Sequence, residues 1–140
     1  MHPFRKAVEE CDEAAIQALL ADTVVFTSPV AFKPYVGKPI TAAILRGVLR
    51  IFEDFRYVRE IADSNGRDYA LVFETRIAGV PGVRITGCDF LHINDDGLID
   101  DFMVMVRPLS GATALSEAMG AQFGRIQQEA VELAEQFATA

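Results

Sequence analysis

Three short turn signals in the second half of the chain constrain its fold most strongly. Between them the period of apolar residues is close to two, which is the period of a β-strand. The turns are Asn65-Gly66, Pro81-Gly82 and Asp96-Gly97, and they separate runs at residues 55–62, 69–78, 83–93 and 98–107. Because such short connections join only antiparallel neighbours, the four runs predict a β-meander.

Helical patterns lie on both sides of this meander. Apolar residues recur every three or four positions over residues 3–20, from Ile40 to Phe55 after Pro39, and over residues 110–138. This spacing is typical of amphipathic helices. A β-rich run at residues 23–27 separates the first two helices. Helices followed by consecutive strands predict an α+β fold.

The length and charge of the chain limit its organisation and its partners. At 140 residues, with no linker or low-complexity tract, the chain predicts one domain over residues 1–140, with a core at 3–107 and a helical extension at 110–138. The formal net charge of −7, without any run of Lys or Arg, argues against nucleic acid and anionic membranes as partners. No apolar window reaches the length of a membrane span.

Cysteine content and the first twenty residues predict the compartment. The two cysteines are Cys11, in a helical pattern, and Cys88, in a strand pattern. Residues 1–20 carry several charges and no apolar export segment. We therefore expect two reduced thiols and a cytoplasmic protein.

Asp89 is the main candidate for chemistry. In the run 83–93, strand alternation places it on the face that also carries Ile85, Leu91 and Ile93. A carboxyl group in apolar surroundings is costly to ionise, so we expect its pKa to be raised. Such groups occur at functional sites, and they also occur as structural acceptors of backbone or Arg hydrogen bonds.

The last predicted strand indicates how the chain assembles. From residue 102 to residue 106 both of its faces are apolar, which is typical of a strand covered on both sides. Two covers fit this pattern: a second subunit, or the C-terminal helix of the same chain. We predict a homodimer through the outer face, which is the side of this strand that carries Met103 and Met105.

Sequence motifs for several kinds of chemistry do not occur. The chain has no G-x-G-x-x-G, no Walker loop, no G-x-S-x-G and no H-E-x-x-H, and its histidines are His2 and His92. Alternation places His92 on the outer face, where a packed or solvated ring is the commoner case. The segment 94–96 has turn chemistry rather than the spacing of a calcium loop. We expect no metal and no cofactor.

The order of the elements resembles a known superfamily. A helix, a strand ending in Ser28-Pro29-Val30, a loop with Gly37, a helix, and a meander with Asp89 and residues 94–97 resemble the nuclear transport factor two-like (SnoaL-like) superfamily. That superfamily includes ketosteroid isomerases, polyketide cyclases and limonene epoxide hydrolases. The resemblance covers residues 3–107. It implies a cone-shaped, curved antiparallel sheet whose N-terminal helices cover one pocket.

The resemblance implies roles for particular residues. The isomerase pattern places its oxyanion-hole aspartic acid on Asp89, its general base on Ser28 and its oxyanion-hole tyrosine on Phe4. Without a carboxylate at Ser28, proton abstraction lacks its agent, which argues against steroid isomerisation. The epoxide hydrolase pattern departs at Val104. Cyclases and hydratases of this type require one acidic group in an apolar cavity, which Asp89 supplies.

Two functional hypotheses follow. The first is a pocket protein that binds a small, largely apolar molecule and performs cofactor-free isomerase, cyclase or hydratase chemistry with Asp89. The second is a non-catalytic ligand-binding or dimerisation module. The predicted pocket walls are Phe4, Phe26, Ser28, Tyr35, Ile44, Phe52, Leu91, Phe102 and Val104. A cavity with a second polar group beside Asp89 favours the enzyme, and a wholly apolar cavity favours the binding module.

Overall fold

The computed structural model describes residues 1–139 and has the predicted α+β architecture. Ala140, which the predicted domain includes, lies outside the described residues. The elements are α1 (Pro3–Glu9), α2 (Glu13–Ala18), β1 (Leu20–Thr27), β2 (Tyr35–Val36), α3 (Lys38–Ile51), β3 (Phe52–Ala62), β4 (Asp68–Ile77), β5 (Arg84–Ile93), β6 (Ile99–Arg107) and α4 (Leu109–Thr139).

The strands form one curved, unclosed sheet in the order β2-β1-β6-β5-β4-β3. Strands β3 to β6 are an antiparallel meander, as the turn signals predict. The sheet extends beyond the meander because β1 pairs in parallel with β6 and antiparallel with β2. The helices pack on one face of this sheet, which is called the inner face. The opposite face is called the outer face below.

The first predicted helix is divided in two. Cys11 has a φ of 52°, the left-handed region that ends helical geometry. The Asp12 side chain then accepts a hydrogen bond from the Ala15 N–H at 3.1 Å and caps a new helix, α2. The single apolar period over residues 3–20 hides this break, because both short helices turn an apolar side to the same core.

Two other boundaries differ from the predicted ones. Strand β1 begins at Leu20 instead of residue 23, and α3 ends at Ile51, so that Phe52 already has extended geometry and begins β3. The helical stripe and the strand alternation overlap from Phe52 to Phe55, so periodicity alone does not locate the switch. Both rings pack against the apolar core.

The C-terminal helix packs along α3 and leaves the outer face of the sheet uncovered. Gly47 makes this approach possible, since a Cβ atom there would lie 2.8 Å from Cδ1 of Ile126 on α4. On the outer face, Phe90 of β5 is 36% exposed and Met105 of β6 is 54% exposed. The alternative in which this chain's own C-terminal helix covers that face is therefore wrong. In residues 1–139 no helix has the length and apolar character needed to span a membrane.

Candidate functional site

One cavity of about 70 Å³ lies between the helices and the inner face of the sheet. Of the twenty residues that line it, only Ser28, Tyr57 and Asp89 carry a polar side chain. An apolar cavity with a few convergent polar groups is the usual form of a small-molecule site.

Seven of the nine predicted wall residues line this cavity. They are Phe4, Phe26, Ser28, Ile44, Phe52, Phe102 and Val104. Tyr35 does not: it lies on the short strand β2, and its ring packs 6.0 Å from that of Phe123 on α4. Leu91 does not either, although it is buried on the inner face as predicted. Strand alternation gives the face of a residue, but not how far along the strand the cavity extends.

The chemically distinctive feature of the cavity is a buried pair of polar groups. The hydroxyl of Tyr57 on β3 donates a hydrogen bond to Oδ2 of Asp89 on β5 at 2.6 Å. Both residues are buried, with 5% and 6% of their surface exposed. Because each is otherwise surrounded by apolar walls, the pair is a specific, fixed arrangement rather than a solvated contact.

Burial and the hydrogen bond from Tyr57 have opposite effects on the pKa of Asp89. Burial raises the pKa of its carboxyl from the usual 3.8 to about 7, while the hydrogen bond from Tyr57 acts to lower it. Burial, followed by the charge of Asp89, raises the pKa of Tyr57 well above its usual value of 10. Near neutral pH, Tyr57 is therefore a neutral donor, and Asp89 is populated in both its acid and its carboxylate form.

Sequence reasoning missed Tyr57. Alternation in the run 55–62 places it on the same face as Phe55, and that signal was available because tyrosine is the polar member of an apolar face. The hydrogen-bonded partner predicted for a structural Asp89 was a backbone or Arg donor. The partner in the structure is instead a tyrosine hydroxyl.

An aromatic cluster fixes the orientation of Tyr57. Its ring meets Phe55 edge to face at a centroid distance of 4.9 Å, and Phe55 stacks on Phe73 at 5.0 Å. Phe73 in turn lies over Gly87, where a Cβ atom would approach Cε2 of the ring to 2.6 Å. The glycine leaves the space that this cluster occupies beside Asp89.

Ser28 lines the cavity but is engaged in a local turn. Its Oγ accepts a hydrogen bond from the Val30 N–H at 3.1 Å. The position to which the isomerase resemblance assigns the general base therefore carries a neutral hydroxyl. Neither histidine of residues 1–139 is placed to activate it. His92 lies on the outer face, 2.7 Å from Oδ1 of Asp100, and the ring of His2 packs against that of Tyr69 at 4.6 Å.

Residues 1–139 contain no group of three or more His, Cys, Asp or Glu side chains placed to hold a metal ion. The groups that can do chemistry inside the cavity are therefore the Asp89 carboxyl, the Tyr57 hydroxyl and the Ser28 hydroxyl. Together they can donate and accept hydrogen bonds and exchange a proton with a bound oxygen.

The chain thus combines a curved sheet, helices on the inner face of that sheet, and an apolar cavity between them that contains a buried acid. The SnoaL-like domain family matches residues 2–102, and the chain belongs to this family. The superfamily predicted from the order of the elements is thereby confirmed. No curated protein matches the chain in sequence.

Solved structures agree with this assignment. A protein from Pseudomonas aeruginosa, named a steroid delta-isomerase, is 39% identical, with a TM-score of 0.81 and 89% of each chain covered. A protein from Silicibacter pomeroyi with a cystatin-like fold is 36% identical, with a TM-score of 0.79 and coverage of 87% of this chain and 86% of that one. A putative polyketide cyclase from Pseudomonas putida, 19% identical with a TM-score of 0.63 over 78% of this chain and 89% of its own, shares the fold.

Proposed function

We propose that the protein binds a small, largely apolar molecule that carries an oxygen, and that it promotes cofactor-free acid-base chemistry on it with Asp89 as the acid. The observation that carries this proposal is the Asp89–Tyr57 hydrogen bond inside an otherwise apolar cavity. The Tyr57 hydroxyl is a second polar group beside Asp89, and such a group favours an enzyme over a passive binding site.

The geometry of the pair supports a separate role for each member. Oδ2 of Asp89 accepts the hydrogen of Tyr57, so in the acid form the remaining oxygen carries the proton. That proton is donated to the oxygen of the ligand, while Tyr57 holds the carboxyl in place. Apolar surroundings strengthen such a hydrogen bond when negative charge develops on the ligand oxygen.

Position 28 carries a serine instead of a carboxylate, and this limits the reactions that the cavity can catalyse. Steroid isomerisation moves a proton from one carbon to another and needs a base to abstract it. The relative from Pseudomonas aeruginosa carries that name, yet the Ser28 hydroxyl of this chain is neutral and bound in a turn. We therefore favour hydration of an enone, or cyclisation of a compound that enters as its enol. In both, Asp89 protonates the carbonyl oxygen while water or the enol carbon forms the new bond. The proton released by the water or by the enol hydroxyl then returns to the Asp89 carboxylate, so no second base is needed.

The pH dependence of binding tests this proposal. Cyclohexenone accepts hydrogen bonds but has no acidic group, so its affinity is expected to fall as the pH rises through about 7, where Asp89 loses its proton. Calorimetric titration at a series of pH values measures this. Asp89→Asn keeps a donor that does not titrate and should give a flat profile. The matched control Asp101→Asn, at an exposed outer position, should retain the wild-type profile.

A non-catalytic carrier is the second candidate, and the missing base at Ser28 favours it. Loss of the ultraviolet absorbance of the enone on hydration separates the two. Turnover that disappears in Asp89→Asn supports the enzyme. Tight, pH-dependent binding without turnover of cyclic enones by the wild type supports the carrier.

We also propose that two copies pair through the outer face of the sheet. The exposure of Phe90 and Met105, which no helix within residues 1–139 covers, supports this. Met105→Glu should convert a dimer to a monomer in sedimentation velocity, because it buries two charges in the interface. Val131→Glu is the control, since Val131 is an equally exposed apolar residue on α4 (56%). A wild-type monomer at micromolar concentration would contradict the proposal.

The compartment is a further proposal. Cys11 and Cys88 are both free thiols, and this state suits the reducing cytoplasm. Cell fractionation with the untagged protein tests it, and recovery with the periplasmic or secreted fraction would contradict it.

A further inference from the structure

The C-terminal helix supplies part of the cavity wall, although it lies outside the family match. That match ends at residue 102, whereas α4 begins at Leu109. Two of its side chains, Leu115 and Met119, line the cavity. The helix therefore closes a side of the cavity that residues 2–102 do not close.

The helix is held firmly on α3 next to this wall. Nε2 of Gln122 donates a hydrogen bond to the Gly47 carbonyl at 2.8 Å, and Oε1 of Gln122 accepts one from Nε of Arg50 at 2.9 Å. Two helical turns further on, Glu129 pairs with Arg50 at 2.7 Å and with Arg46 at 2.9 Å. With the backbone anchored in this way, the room on this side depends on the side chains of α4 rather than on movement of the helix.

Met119 is the wall residue whose side chain can change conformation most easily. The cavity of about 70 Å³ is smaller than the cavities of about 150 Å³ that bind benzene, so a ring-sized ligand requires a side chain to move. Leu115 is branched and only 3% exposed, while Met119 is partly buried and unbranched, with three rotatable bonds. Its sulfur lies 3.5 Å from Nε2 of Gln122, which places it beside the anchor.

We infer that Met119 on α4 sets the upper size of the ligand: movement of its side chain admits about one ring, and the volume that the side chain still occupies excludes a second ring. This inference rests on the proposed small-molecule function and adds a specificity-determining residue to it. It assigns α4 the role of a wall that selects for size, in addition to its packing against α3.

The test compares two ketones of the same chemistry and different size. Cyclohexenone has one ring, and octalone is its fused two-ring homologue. Calorimetry on the full chain measures the ratio of their affinities for the wild type, Met119→Ala and the graded variant Met119→Val. The control Val131→Ala changes an exposed residue of the same helix that does not line the cavity. Thermal melts verify that each variant is folded.

We expect Met119→Ala to raise the affinity for octalone relative to cyclohexenone about tenfold or more, with Met119→Val in between and Val131→Ala unchanged. A relative affinity within about twofold of wild type, or no octalone binding by Met119→Ala and Met119→Val, overturns the inference. Failure of the proposed function has a different result, namely binding that does not depend on pH or on Asp89. A change of size preference with pH-independent binding would keep the role of Met119 and reject that of Asp89.

Discussion

Replacing Asp89 by asparagine should remove a large pH dependence of folding stability. The pKa of Asp89 is 3.8 in an ordinary carboxyl and about 7 in the folded protein, where burial disfavours the charge. Each tenfold difference in proton affinity corresponds to about 1.36 kcal/mol, so the difference amounts to about 4 kcal/mol. The value of about 7 already includes the hydrogen bond from Tyr57, which stabilises the carboxylate and lowers the pKa.

Stability falls as the pH rises because burial raises the pKa of Asp89. A folded-state pKa above the unfolded value means that the folded protein binds the proton more tightly. The contribution of Asp89 is therefore fully present below about pH 4 and is lost as the pH rises through about 7. At higher pH, Asp89 is ionised in both the folded and the unfolded state, so it causes no further change of stability with pH.

Urea unfolding of the wild type and of Asp89→Asn, repeated from pH 4 to pH 9, measures the effect. Other titrating groups are common to both proteins, so the difference between their free energies of unfolding isolates Asp89. Relative to the variant, the free energy of unfolding of the wild type should fall by up to about 4 kcal/mol across this pH range. A difference that is flat, or that rises with pH, would refute the reasoning about burial.

Three further changes test the surroundings of the site. Tyr57→Phe removes the hydrogen bond that lowers the pKa of Asp89, so the midpoint of the same difference curve should move above 7, as repeated urea titrations would show. Gly87→Ala introduces a Cβ against the Phe73 ring and should cost about 1–3 kcal/mol of unfolding free energy; an unchanged urea midpoint would contradict the tight packing. Gly120→Ala, where a Cβ meets no atom within 4 Å inside α4, should raise stability by up to about 1 kcal/mol, measured by thermal melting.

Local sequence patterns determined most of the elements and the face of the sheet on which Asp89 lies. The turn dipeptides fix the antiparallel meander, and strand alternation places Asp89 on the inner face because successive side chains point to opposite sides. The same rules miss the break at Cys11, since a left-handed residue between two short amphipathic helices does not disturb their common apolar period.

The partnership of Tyr57 with Asp89 was decided by the tertiary structure. These residues are 32 positions apart and lie on strands separated by β4. The β3–β4 register shifts on both sides of the segment Arg56–Tyr57, so the height of Tyr57 along the sheet does not follow from counting residues. Alternation gives a face, whereas bulges and register decide which side chains on that face meet.

The position of α4 was decided in the same way. Its apolar stripe predicts a helix that must be buried, but covering either α3 or the outer face of the sheet would satisfy that need. The choice depends on Gly47, whose missing Cβ lets Ile126 approach, and on the ion pairs that Glu129 makes with α3. Complementary surfaces between distant segments exist only once the chain is folded, so the sequence by itself determined the helix, and the tertiary structure decided that it closes the cavity.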